Sequence, residues 1–159
     1  MTRTRGFTLI ELLVVIAIIS LLTSVVLASL NSARAKARDS QRLSNLHQLE
    51  LALASYYSDN GAYPVAGLWS GNCPAWGGHG TSGASGWIPN LAPTYIAALP
   101  TDPKTSDPYC YLYASDGKDY MILDWYRVET YIPANNPKPR PSNPNEADFA
   151  AYTQGAVNW

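Results

Sequence analysis

The chain has 159 residues, 14% of them charged, and a formal net charge of −1. That length allows one modest domain plus an extended element, and so small a net charge does not point to nucleic acid. Two cysteines and two histidines, His47 and His79, lack zinc-ligand spacing. No nucleophile–base pair stands out, so the chain reads as a non-enzymatic protein without a cofactor.

The first element is apolar. Phe7 to Leu30 is a run of 24 residues in which Glu11 is the single charged side chain. About 20 apolar residues suffice to span a bilayer as a helix. A carboxylate inside such a helix costs roughly 2.5–3.5 kcal/mol on insertion scales. Glu11 is therefore expected to have a partner. A secretory signal peptide would have a shorter apolar region, of about 7–15 residues, although Ala33-Arg34-Ala35 offers an Ala-x-Ala pattern. A plain membrane anchor would leave Glu11 unexplained. Basic residues flank the run on both sides: Arg3 and Arg5 before it, and Arg34, Lys36, Arg38 and Arg42 after it. Counted alone, they favour the wrong end as cytoplasmic.

The residues Gly6-Phe7-Thr8-Leu9-Ile10-Glu11-Leu12-Leu13-Val14-Val15-Ile16 resemble the N-terminus of type IV pilins and type II secretion pseudopilins. The resemblance implies a leader, residues 1–6, cut between Gly6 and Phe7 by a prepilin peptidase that also methylates the new N-terminus at Phe7. It implies that Glu11 pairs with the N-terminal amine of a neighbouring subunit. Two opposite charges buried together are less costly than either alone. The implied partners are copies of the chain in a helical filament, the processing enzyme, an inner-membrane assembly platform, and membrane lipid before assembly. The implied location is the cytoplasmic membrane for a single-pass precursor with its head outside, then an extracellular or envelope-spanning filament.

No Pro or Gly interrupts Phe7 to Tyr57, so the helix is expected to continue well beyond a membrane. Residues 7–30 form the membrane or filament-core part and residues 31–58 an amphipathic continuation. Ala33, Ala35 and Ala37 alternate with Arg34, Lys36 and Arg38 in a solvated, helix-favouring stretch that would meet acidic groups of neighbouring subunits. DNA or anionic lipid is the competing reading of this basic cluster. Leu43, Leu46, Leu49, Leu53 and Tyr56 or Tyr57 then recur at spacings of three and four, a stripe for a globular head. Asp59-Asn60-Gly61 ends the helix and Pro64 prevents its resumption.

Residues 59–159 form the expected head. Residues 65–90 read as loop, rich in Gly and carrying Trp69, Trp76 and Trp87, which serve packing or subunit contacts rather than a ligand. Ile88 to Leu99, with apolar residues at Leu91, Tyr95, Ile96 and Leu99, reads as a short helix or turn with Asn90 as its N-cap. Leu99-Pro100-Thr101-Asp102-Pro103 resembles a turn of pseudopilins. Tyr109–Ala114 and Tyr120–Trp125 flank Asp116-Gly117, a strong hairpin signal. The face carrying Cys110, Leu112 and Ala114 is expected to pack on the helical stripe. Five prolines between Pro133 and Pro144 make an extended, non-pairing segment, and Phe149 to Trp159 returns as a strand or flap. Cys73 and Cys110 are an expected disulfide, the alternative being two free thiols; its loop would contribute about 3–4 kcal/mol. Asp102, Asp107, Asp116 and Asp119 are weak candidates for calcium, without an EF-hand spacing.

The fold expected is α+β: a long N-terminal helix on a small antiparallel sheet, the pilin fold. The function expected is a structural subunit of a type IV pilus-like filament. A type II secretion pseudopilin is the alternative, and a non-polymerising membrane-anchored adhesion or DNA-binding module is a second.

Overall fold

A computed structural model describes residues 6–104, 110–125, 128–130 and 136–159. It is an α+β structure with one long helix, α1 (Leu9–Asn60), and four strands: β1 (Gly67–Gly71), β2 (Tyr111–Ser115), β3 (Tyr120–Asp124) and β4 (Phe149–Tyr152). The chain divides into two compact units, residues 1–35 and 36–159.

The end of α1 follows from its sequence. Gly61 takes φ 69° and its N–H donates to Tyr57 C=O at 2.8 Å, a left-handed cap that a residue with Cβ adopts reluctantly. Up to Leu30 the large apolar side chains of α1 are exposed. Burial begins at Asp39 and recurs at Arg42, Leu46, Leu49, Ala52 and Leu53, the spacing of one helical face.

The sheet is antiparallel throughout, in the order β1-β2-β3-β4. The β2–β3 hairpin pairs Tyr111 with Asp124 and Ser115 with Tyr120. Its turn is organised by Asp116, whose Oδ1 accepts the N–H groups of Lys118 and Asp119, and by Gly117 at φ 92°. The C-terminal strand expected after Phe149 is β4.

Three expectations need correction. The region read as loop after residue 65 contributes β1: pairing along β2 overrides the poor strand propensity of its flanking glycines. Ile88 to Leu99 takes the turn alternative, and Asn90 is not an N-cap there: it takes φ 60°, outside the extended conformation of an N-cap. The sheet also faces the helix the other way round. Tyr111, Tyr113, Tyr120 and Ile122 share the core with Leu46, Leu49 and Leu53, while Cys110, Leu112, Met121 and Leu123 form a second core on the opposite face. Both faces are buried, so hydrophobicity alone could not choose between them. The tyrosines reach polar partners on the helix side: Tyr111 Oη accepts from Asn45 Nδ2 at 3.1 Å, and Tyr113 Oη donates to Pro64 C=O at 2.8 Å. On the other side, Cys110 is tied to Cys73.

The outer edge of β4 is covered by the proline-rich segment. Ala150 N–H donates to Lys138 C=O at 2.8 Å, and Asn136 Nδ2 to Asp148 C=O at 2.8 Å. Covering an edge in this way removes a template for unwanted strand pairing.

Candidate functional site: an N-terminal motif and a charged clamp

Thr8 precedes the first residue of α1, and Glu11 follows three positions later. The pair forms a capping box. The Glu11 carboxylate accepts Thr8 N–H and Thr8 Oγ1–H, each at 2.8 Å, and Glu11 N–H donates to Thr8 Oγ1 at 3.3 Å. Two orphan donors of the helix start are thereby satisfied. Glu11 thus has a partner within its own chain as well as the one that the resemblance implies. The signal was present in Thr8-Leu9-Ile10-Glu11, a Thr-x-x-Glu pattern ahead of an apolar run. Phe7, Ile10, Val14 and Val15 line an apolar recess beside Glu11. The segment that follows is long and apolar enough to cross a membrane.

The largest polar feature was missed in the sequence. Arg42 is 0% exposed. Its Nε and Nη2 engage both oxygens of Asp102, at 2.7 and 3.0 Å, and its Nη1 donates to Asp39 at 2.8 Å and Glu129 at 3.1 Å. Asp124 Oδ2 lies 3.5 Å from Nε. Arg38 grips both oxygens of Glu129 at 2.6 Å. Asp39 in turn accepts the N–H groups of Glu129 and Thr130 and the Thr130 hydroxyl. Burial alone would lower the affinity of Arg42 for its proton, but Asp102, Asp124 and Glu129 outweigh it and raise it. The bond from Arg38, followed by that from Arg42, brings Glu129 down to about 2. Burial pushes Asp124 well up, against the pull of Arg42 and with a further push from Asp102. The spacing of Arg38, Asp39 and Arg42 along α1 was the local sign of this cluster; Asp102, Asp124 and Glu129 come from distant parts of the chain.

Two basic residues therefore leave the solvated stretch. Arg38 and Arg42 meet acidic groups of their own chain, so only Arg34 and Lys36 remain as exposed charges there.

Cys73 and Cys110 are joined in a disulfide with Cα atoms 5.8 Å apart. Trp69, Trp76, Trp125 and Trp159 pack around that second core, and Trp87 stacks on Tyr111 in the first, 5.9 Å between ring centroids. The calcium candidates are scattered. Asp102 holds Arg42, Asp116 organises the hairpin turn, and Asp119 accepts from Thr153 Oγ1 and Gly155 N–H. Asp107 lies outside the described residues. Among the described residues no group of three or more metal-ligating side chains is placed to hold an ion.

Residues 1–27 match a family model described as a prokaryotic N-terminal methylation motif. The type II secretion system core protein G of Klebsiella pneumoniae is 38% identical over 110 residues, which cover 67% of this chain and 74% of that protein. The chain belongs to the type IV pilin and type II secretion pseudopilin family. Other relatives in this family match over a shorter length. Core protein G of Escherichia coli (strain K12) is 43% identical over 63 residues, 40% of this chain and 43% of that protein. The type IV wide pilus major component of Thermus thermophilus is 41% identical over 63 residues, 40% of this chain and 48% of that protein. No solved structure matches the chain. The pilin-family helix and sheet are thus seen here in a chain whose own head packs its tyrosine face inward.

Proposed function

We propose that the chain is a structural, non-catalytic subunit of a type IV pilus-like filament. Residues 1–6 act as the leader, cut between Gly6 and Phe7 by a prepilin peptidase that then methylates Phe7. Residues 7–30 hold the precursor in the cytoplasmic membrane with the head outside, and later pack in the filament core. Residues 31–58 carry the head, residues 59–159. Copies of the chain, the processing enzyme and an inner-membrane assembly platform are its partners. The observation that carries this reading is the methylation motif over residues 1–27, in a chain whose similarity to a filament-family relative extends over 110 residues.

Cleavage creates an ammonium at Phe7, four positions before Glu11. In a lipid environment a carboxylate held by Thr8 alone is still short of a counter-charge, and the ammonium of a neighbouring subunit supplies one. Thr8 keeps the carboxylate at the helix start until then. Mass spectrometry of the mature N-terminus, with electron microscopy of shed fibres, tests the reading. Methylated Phe7 in fibres is expected. An N-terminus at Lys36 would sink it in favour of ordinary secretion, and an uncut, unpolymerised chain in favour of a membrane-anchored adhesion or DNA-binding module.

A pseudopilin of a type II secretion system is the second reading. It is favoured by the 110-residue match to a secretion core protein and by the turn Leu99-Pro100-Thr101-Asp102-Pro103. Fibres released from the cell support the pilus; retention with the envelope supports the pseudopilus.

A further inference from the structure

The head meets the Lys36–Asn60 part of α1 through two unlike contacts. One is the apolar stripe of Leu46, Leu49 and Leu53, all fully buried. Apolar burial is nondirectional, and neighbouring rotations of a greasy helix bury similar area. The other is the charged cluster at Arg42. A guanidinium presents its donors in a fixed planar fork, so it accepts partners only in a set geometry. Three separate parts of the head converge on that fork: the 99–103 turn through Asp102, the end of β3 through Asp124, and the residues after β3 through Glu129. Asp39, one helical turn earlier, fastens the same last segment through Thr130. Both residues lie where burial along α1 begins.

We propose that Arg42 is the positioning residue that sets the rotation and register of the head on α1, and that filament assembly requires this register. Burying an ion cluster is a poor way to gain stability, because desolvation of the charges offsets their attraction and apolar replacements often do as well. What the cluster adds over leucines is a single docked arrangement. A symmetric assembly repeats one set of contacts from subunit to subunit, so each head must sit on its helix in the same way. This last step rests on the filament reading above.

The test separates register from stability and from the filament reading. The variant Arg42→Met/Asp102→Leu/Asp124→Leu removes the fork with the two acids that depend on it. Asp39 keeps its bonds from Thr130, and Glu129 keeps Arg38. In the full-length chain, spin labels at Gln48→Cys on α1 and Ser85→Cys on the head report their separation. Thermal melting reports stability, and electron microscopy reports filaments. We expect melting no lower than that of the parent, a distance distribution that broadens or shifts, and loss of filaments. A narrow distribution at the parent distance would overturn the proposal. So would filaments of normal number and order, and so would earlier melting, which would assign the cluster to stability alone. If the parent chain itself makes no filaments, the filament reading fails, while the distance measurement still decides whether Arg42 sets the register.

Discussion

Glu11 and Arg42 are charged side chains in the two parts of α1, and they meet different surroundings. Around Glu11 the helix is uncovered by its own chain. Among the described residues the carboxylate finds Thr8, in a capping box that satisfies backbone donors without an opposite charge. Around Arg42 the chain folds back on itself and brings Asp102, Asp124 and Glu129 to join Asp39 of the same helix. A charge closed within one chain belongs to folding, whereas a charge left open at a helix start is available to another chain. The difference lies in what the remaining residues bring within reach, and it predicts opposite phenotypes for the two sites.

The largest contrast comes from single substitutions at the two charges. Glu11→Ala is expected to abolish filaments and leave the melting of the head unchanged; normal fibres from this variant would remove Glu11 from assembly. Arg42→Met strands Asp102 and Asp124 in the core. It is expected to cost about 3–5 kcal/mol, seen as a lower melting temperature of the full-length chain. If Glu11→Ala lowered the melting as much as Arg42→Met, the distinction would collapse.

Replacing Cys73 and Cys110 by serine should cost about 2–5 kcal/mol, read from melting of the oxidised and substituted proteins. The loss belongs to the sheet face away from α1, so the spin-label distance between Gln48 and Ser85 should keep its value. A smaller loss is expected for Gly155→Ala. A Cβ there would overlap the Asp119 carboxylate, which is already held by Thr153 and Gly155 N–H. Overpacking of this kind costs roughly 1–3 kcal/mol, and an unchanged melting temperature would show that Asp119 moves aside freely.

The smallest expected effects are in the pH dependence of the clamp. Glu129 is lowered to about 2 from 4.5. Its contribution is therefore complete above the unfolded value and is lost as pH falls towards 2. Asp124 is raised, so its contribution is complete below 3.8 and is lost as pH rises through its folded value. Asp124→Asn should remove that loss at rising pH and leave the acid limb in place. Urea melts across pH would reveal the reverse assignment if the acid limb moved instead.

The parts that were legible in the sequence are those decided by neighbours along the chain. Apolar content marks α1 up to Leu30, the three-and-four spacing of Leu46, Leu49 and Leu53 marks its buried face, Gly61 marks its end, and Asp116-Gly117 marks the hairpin. Thr8 and Glu11 are also local, and a capping-box pattern was there to be read. β1 was not legible, because Gly67-Leu68-Trp69-Ser70-Gly71 becomes a strand only when β2 is beside it. Nor was the role of Arg42 in the clamp legible: on the helix it resembles Arg34 and Lys36, which stay exposed.

By itself, then, the sequence determined where the long helix runs, which of its faces is apolar, where the hairpin turns and which family motif begins the chain. Each of these depends on residues a few positions apart, within reach of backbone propensity and periodicity. Tertiary structure alone decided which sheet face meets the helix, since tyrosines and aliphatics both bury well; the faces differ in their partners, Asn45 and Pro64 on one side and the disulfide on the other. It also decided which charges are spent inside the fold. Arg42 meets Asp102 sixty positions away and Glu129 eighty-seven positions away, and no local rule brings residues so far apart together. Glu11, by contrast, is met among the described residues by its near neighbour Thr8, three positions away.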